Sequence, residues 1–208
     1  LAAEEKHDEL VHKRREQIIA AARKVFARKG YSWTKTEDIA AELGVGKGTL
    51  YRYFKDKRGL FLAVCDEGFA RLEDIASRDA YPLGDPRERL RALVKVFYEF
   101  FDGEPDHIEI MMQLRGEFKE EYQQRFAEGN NRHTERLAQL LGEGTGLGHF
   151  RDVDPAMGAL AISALLMGTL QDFYYRRRDK RLADYVGPIT DFVMNGLLRE
   201  HAEYGSKG

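Results

Sequence analysis

The sequence predicts an all-α protein of about nine helices, and three observations carry that expectation. Apolar residues recur at spacings of three and four along most of the chain, the period of one helix face. Two helix starts read Asp-Pro, at Asp85-Pro86 and Asp154-Pro155: an N-cap residue followed by the residue best suited to the first helical position. Gly44 separates two short amphipathic stretches, residues 36–43 and 47–54, where a residue at ease in the left-handed conformation can end one helix and turn the chain into the next.

In the first stretch Thr36 is the expected N-cap, and Glu37 and Asp38 place negative charge in the first turn. Ile39, Ala40 and Leu43 make the inward stripe, and Val45 plugs the corner after Gly44. In the second, Leu50 and Phe54 face inward at i and i+4, while Thr49, Arg52 and Tyr53 face outward. Lys47 and Gly48 stand at its exposed start, and Gly48 has no side chain to hold the backbone away from a base pair or sugar. Two helices joined this way have the geometry of a helix-turn-helix, in which one helix braces on phosphates and the next enters the major groove.

A fourth helix is expected over residues 57–78, ending before Tyr81-Pro82-Leu83-Gly84. After Asp85-Pro86 come Leu90, Leu93, Val94, Phe97 and Phe101, and Gly103-Glu104-Pro105 breaks that helix. A shorter one carries Ile108, Met111, Met112 and Leu114, and residues 117–141 carry Phe118, Tyr122, Phe126, Leu137 and Leu140. Glycine-rich residues 142–148 read as a loop, without the Gly-Lys-Ser/Thr of a phosphate loop. The helix after Asp154-Pro155 is apolar nearly all round, through Met157, Leu160, Ile162, Leu165, Leu166, Met167, Leu170 and Phe173, so it needs cover on more than one side. Gly158, Ala161, Ala164 and Gly168 would let a partner approach closely. With the last helix, residues 183–201, it is the expected interface of a homodimer built about a two-fold axis. The polar ends, residues 1–8 and 204–208, are expected to fray.

Charge divides the chain. Residues 11–58 hold thirteen Lys and Arg against five Asp and Glu, net +8, on a chain of net −2, which leaves −10 for the rest. That polarity fits a phosphate-binding N-terminal quarter. No GxSxG elbow, HExxH or CxxC pattern is present, so no enzyme, cofactor or metal site is expected. The single cysteine, Cys65, lies in an apolar run and suits a small core residue in the reducing cytoplasm. Residues 156–170, the longest uncharged apolar stretch, fall short of the roughly 20 needed to span a bilayer, and no membrane partner is expected.

One further set of residues goes beyond this reading of charge and period. Ile18-Ile19-Ala20-Ala21-Ala22, Val25-Phe26, Lys29-Gly30-Tyr31, Thr34, Thr36, Asp38-Ile39-Ala40, Leu43-Gly44-Val45, Gly48-Thr49-Leu50-Tyr51-Arg52-Tyr53-Phe54 and Lys57-Arg58-Gly59-Leu60 together resemble the DNA-binding domain of the tetracycline-repressor-like (TetR) family. The resemblance implies a DNA-binding domain over residues 9–56 and an effector-binding and dimerisation domain over residues 57–203. It implies contacts to a palindromic double-stranded operator from Thr36, Lys47, Gly48, Thr49, Tyr51, Tyr53 and Lys57, with Thr36 and Lys57 on phosphates. Gly46 departs from the family, which usually has Ser there, so the hydroxyl cap of the recognition helix is missing. The function implied is a ligand-responsive repressor. Its small hydrophobic effector is expected among Phe97, Phe101, Met111 and Leu166, with Arg115, Gln171 or Gln113 reading a head group. The competing expectation is a constitutive architectural DNA binder without a ligand, against which the length beyond residue 60 speaks.

Overall fold

The computed structural model describes residues 2–176 and 181–197, and their side chains except those of residues 2–5 and 125–131. Among these are nine α-helices, one short 3-10 turn and no strand: α1 (Ala2–Lys29), α2 (Thr36–Leu43), α3 (Lys47–Tyr51), α4 (Lys57–Asp79), α5 (Pro86–Gly103), α6 (Asp106–Glu117), α7 (Lys119–Gly146), α8 (Pro155–Arg176), the turn Leu182–Tyr185 and α9 (Val186–Leu197). The all-α expectation holds. Phe126 has no described side chain, and residues 177–180, the end of the expected last helix from 198, and the tail 204–208 lie outside the described residues. The chain forms two compact units, residues up to 71 with 104–124, and residues 72–103 with 125 onward.

In the first unit α1 packs against α2 and α6. Ile18, Ala22, Val25 and Phe26 of α1, Ile39, Leu50, Phe61, Val64 and Leu114 are buried together, with Cys65 among them as expected. Tyr31 meets Phe61 and Phe118 edge-on at 5.0 and 4.6 Å between ring centroids. Gln113 on α6 is fully engaged: its Oε1 accepts from the Tyr31 N–H at 2.9 Å and its Nε2 donates to the Phe26 carbonyl at 2.9 Å. Both ends of the amide thus brace the turn after α1 against α6. The N-terminus departs from expectation, because α1 is helical from Ala2 although residues 6–17 are all exposed. Its Ala, Glu, Lys and Arg are good helix formers, and His12 and Glu16 pair at i,i+4, 3.2 Å apart.

A half-buried polar cluster around the buried His107 ties α1, α4 and α6 together. Arg23 donates to Glu104 at 2.9 Å, Arg71 pairs with the same carboxylate, and His107 lies against Gly68, whose missing Cβ leaves the space the imidazole fills. Burial, helped by the Arg23 charge, holds His107 down at about 4, so it is neutral near pH 7.

In the second unit Leu90, Leu137, Leu140, Leu141, Phe150, Ile162, Val193 and Leu197 share one core. Both Asp-Pro starts are caps: Asp85 accepts the Arg87 N–H at 2.8 Å, and Asp154 accepts those of Ala156 and Met157 at 2.9 Å each. The expected glycine loop is a correction. α7 continues through Gly142 and Gly144 to Gly146, and the chain turns only at Gly148, where φ is +70°. The glycines stay helical because one is a socket: a Cβ on Gly144 would lie 2.2 Å from the buried Phe150 ring. On α5, Asp102 accepts from the Leu182 N–H at 2.8 Å and pairs with Arg181 at 2.6 Å, anchoring the 3-10 turn.

Candidate nucleic-acid interface

α2 and α3 form the expected corner. Gly44 ends α2 at φ +68°, and the Val45 N–H closes it on the Ala40 carbonyl at 2.9 Å. Leu50 and Phe54 are buried, as their spacing requires. α3 is shorter than expected, ending at Tyr51, because the chain must turn before Asp56, whose carboxylate caps α4 at the Gly59 N–H, 2.7 Å away. The cap of α2 also differs. The N-cap residue is Lys35, whose N–H donates to Asp38 Oδ2 at 2.9 Å, so the carboxylate three residues on does the capping. The Thr36 hydroxyl, on a residue only 9% exposed, instead lies 3.3 Å from both Glu37 Oε2 and the Tyr51 hydroxyl.

The outward residues fall into a connected set. Lys47 is exposed, reaches Glu37 Oε1 at 2.5 Å and lies 5.7 Å from the Tyr51 ring centroid. The hydrogen bond between Lys47 and Glu37 raises the Lys47 pKa and lowers that of Glu37, so both are charged. Thr49 is half-buried, Tyr51 exposed, and Tyr53 half-buried against the core with Arg52 over its ring. Around Gly46 and Gly48 a Cβ would meet nothing within 4 Å, so the backbone at the start of α3 is open to approach.

Lys57 does something that spacing did not reveal. Its Nζ donates to the carbonyls of Tyr31 at 2.9 Å and Thr34 at 3.0 Å, and sits 4.2 Å from the Tyr31 ring centroid. It clamps the loop before α2, which leaves one of its three N–H donors for a phosphate. No local period in the sequence marks so distant a bond.

The residues expected around an effector lie in different units. Phe97 and Phe101 are buried on α5, their rings 5.1 Å apart, and Leu166 and Gln171 are half-buried on α8. Met111 is buried in the first unit, and Arg115 is exposed at the end of α6. A cleft of about 370 Å³ in the second unit is polar instead, lined by Ser77, Tyr81, Arg89, Arg136, Gln139, Leu140 and Glu143.

Comparison with known proteins matches residues 18–64 to the model for bacterial regulatory proteins of the tetR family, and residues 83–172 to that for the tetracyclin repressor-like C-terminal domain. The chain is 28% identical over 150 residues to the transcriptional activator FasR of Mycolicibacterium smegmatis, covering 72% of this chain and 68% of that one. It is 25% identical over 210 residues to the transcriptional repressor NicS of Pseudomonas putida, covering 89% and 92%. Its fold is similar to the regulator FadR of Bacillus subtilis in complex with stearoyl-CoA, with a TM-score of 0.78 at 22% identity, covering 87% and 98%.

Proposed function

The chain belongs to the TetR family of transcriptional regulators, and from that premise we propose that it is a repressor whose homodimer holds a palindromic operator until a small hydrophobic effector releases it. Regulators of this family bind DNA, typically dimerise and are not enzymes; what is proposed concerns the sites, the sign and the effector. The observation that carries the reading is the start of α3, where Lys47 is exposed and Gly46 and Gly48 leave the backbone open. Lys47, Gly48 and Thr49 face base edges in this reading. Thr36, Tyr51, Tyr53 and the remaining donor of Lys57 meet phosphates and sugars, which set position rather than sequence.

The dimer reading rests on α8. Met157 (62% exposed), Leu160 (49%) and Tyr175 (68%) follow one face with exposed Ala161, Ala164 and Gly168, and Phe192 on α9 is 68% exposed. By length and hydropathy alone α8 could cross a membrane. A second copy of the same face, in a protein working on DNA in the cytoplasm, is the cover proposed here. In this reading the effector lies among Phe97, Phe101, Leu166 and Gln171; what supports it is that Phe97 and Phe101 pack together on α5 and that the adjacent Tyr98 hydroxyl reaches Thr169 of α8 at 2.6 Å.

The test is selection of duplexes by the full chain from a random-sequence pool, followed by titration of the selected duplex complex with stearoyl-CoA as probe. A palindromic consensus is expected, with affinity falling steeply in salt as several cations displace counterions. The effector should weaken binding by a coupling of about 1–3 kcal/mol. Failure to enrich any sequence overturns the operator reading. Saturating stearoyl-CoA without effect on affinity overturns the effector class.

A further inference from the structure

Trp33 is 83% exposed, more so than the other exposed large hydrophobic side chains among the described residues, and it is the only tryptophan in the chain. The loop that carries it is not loose. Gly30 leaves α1 at φ +83°, and the Thr34 hydroxyl donates back to the Gly30 carbonyl at 2.7 Å. Lys57 holds the Tyr31 and Thr34 carbonyls, Gln113 accepts the Tyr31 N–H, and the Ser32 hydroxyl donates to Glu117 at 2.8 Å. Thr34 is buried and Tyr31 is packed by its ring against the core, so the loop is held on both sides of Trp33. The indole stays outside, its Cδ1 3.9 Å from where a Cβ on Gly30 would lie. A large apolar ring fixed in water by so many bonds forgoes the stabilisation that burying it would give.

We propose that Trp33 is a DNA-backbone contact, packing its ring on a deoxyribose and donating its indole N–H to a phosphate on the strand that Thr36 touches. The inference rests on the operator reading above and adds to it a residue outside the helix-turn-helix. Trp33 and Thr36 are three positions apart, a span of at most about 11 Å. Successive phosphates of one strand rise about 3.4 Å each, so a neighbouring phosphate and its sugar lie within that reach. Thr36, itself 9% exposed, meets Tyr51, and Tyr51 meets Lys47, so the start of α2, three positions after the ring, is joined to α3. Exposed Lys35 stands between them and supplies the positive charge such a flank needs. An indole, with an apolar body and one donor, suits a sugar beside a phosphate.

Because the chain has one tryptophan, its emission reports this residue alone. Saturating the full chain with the duplex it selects from a random pool should quench the emission and shift it to the blue. Trp33→Ala should weaken binding to that duplex about tenfold, the loss of one hydrogen bond to a charged acceptor. The salt slope should stay the same, since no cation is removed, and all selected sequences should weaken alike. The thermal midpoint should not move, because the ring is already exposed. Unchanged emission on a duplex that binds tightly, or Trp33→Ala affinity within twofold of the parent, overturns the contact while leaving the operator reading intact. So does a changed sequence preference, which would make Trp33 a base reader. A blue shift that grows with protein concentration before any DNA is added assigns the ring to a contact between copies instead. If no duplex is selected at all, the operator reading has failed first, and the contact falls with it.

Discussion

Single side chains here serve two purposes at once, and Lys57 shows why that changes a mutational forecast. Were it a phosphate contact only, its removal would weaken DNA binding and leave stability alone. Its bonds to Tyr31 and Thr34 tie the loop before α2 to the start of α4. Lys57→Met should therefore lower the stability of the first unit by about 1–3 kcal/mol, since two carbonyls lose a charged donor. Lys47→Ala, whose bond to Glu37 is exposed, should leave the thermal midpoint within experimental error and change sequence preference instead. Thermal unfolding of both variants alongside operator competition checks the division. Equal midpoints for the two variants would show that the clamp carries no stability.

Helices were legible in the sequence where cap chemistry and period agreed. Asp85 and Asp154 announced α5 and α8 correctly, and Gly44 ended α2, because each signal acts on its own neighbours. Legibility failed where a distant residue decided. Gly142, Gly144 and Gly146 carry poor helix propensity, about 1 kcal/mol each against Ala, and read as a loop; Phe150, folding back onto Gly144, makes the helix pay. The same holds at the site: the outward face of α3 could be read from its period, but the Thr36–Tyr51 and Lys47–Glu37 pairs join two helices and leave no local pattern. The socket makes a sharp forecast. Gly144→Ala gains helix propensity yet displaces Phe150, and a net loss of about 1–2 kcal/mol is expected. Gly142→Ala, where the nearest atom would be 3.8 Å away, should gain up to about 1 kcal/mol. Urea unfolding of the pair decides it, and equal effects would mean that Phe150 moves freely.

At the scale of the whole molecule the decisive feature is the bare apolar face of α8. Leu166 packs partly on the core of its own unit, so replacing it would confuse folding with assembly, whereas Leu160 is 49% exposed. Leu160→Arg should give a folded monomer in sedimentation, with binding to a palindromic duplex weakened by well over a factor of ten as two half-sites cease to be read together. An unchanged dimer mass would place the interface elsewhere. If this face joins two copies of a repressor, as proposed, it makes gene control a matter of copy number. When monomers are populated, the species that fills a two-fold site grows as the square of the chain concentration, so halving synthesis leaves about a quarter of it. A cell dividing its few copies unequally would then pass to one daughter a promoter far more open than the protein count suggests.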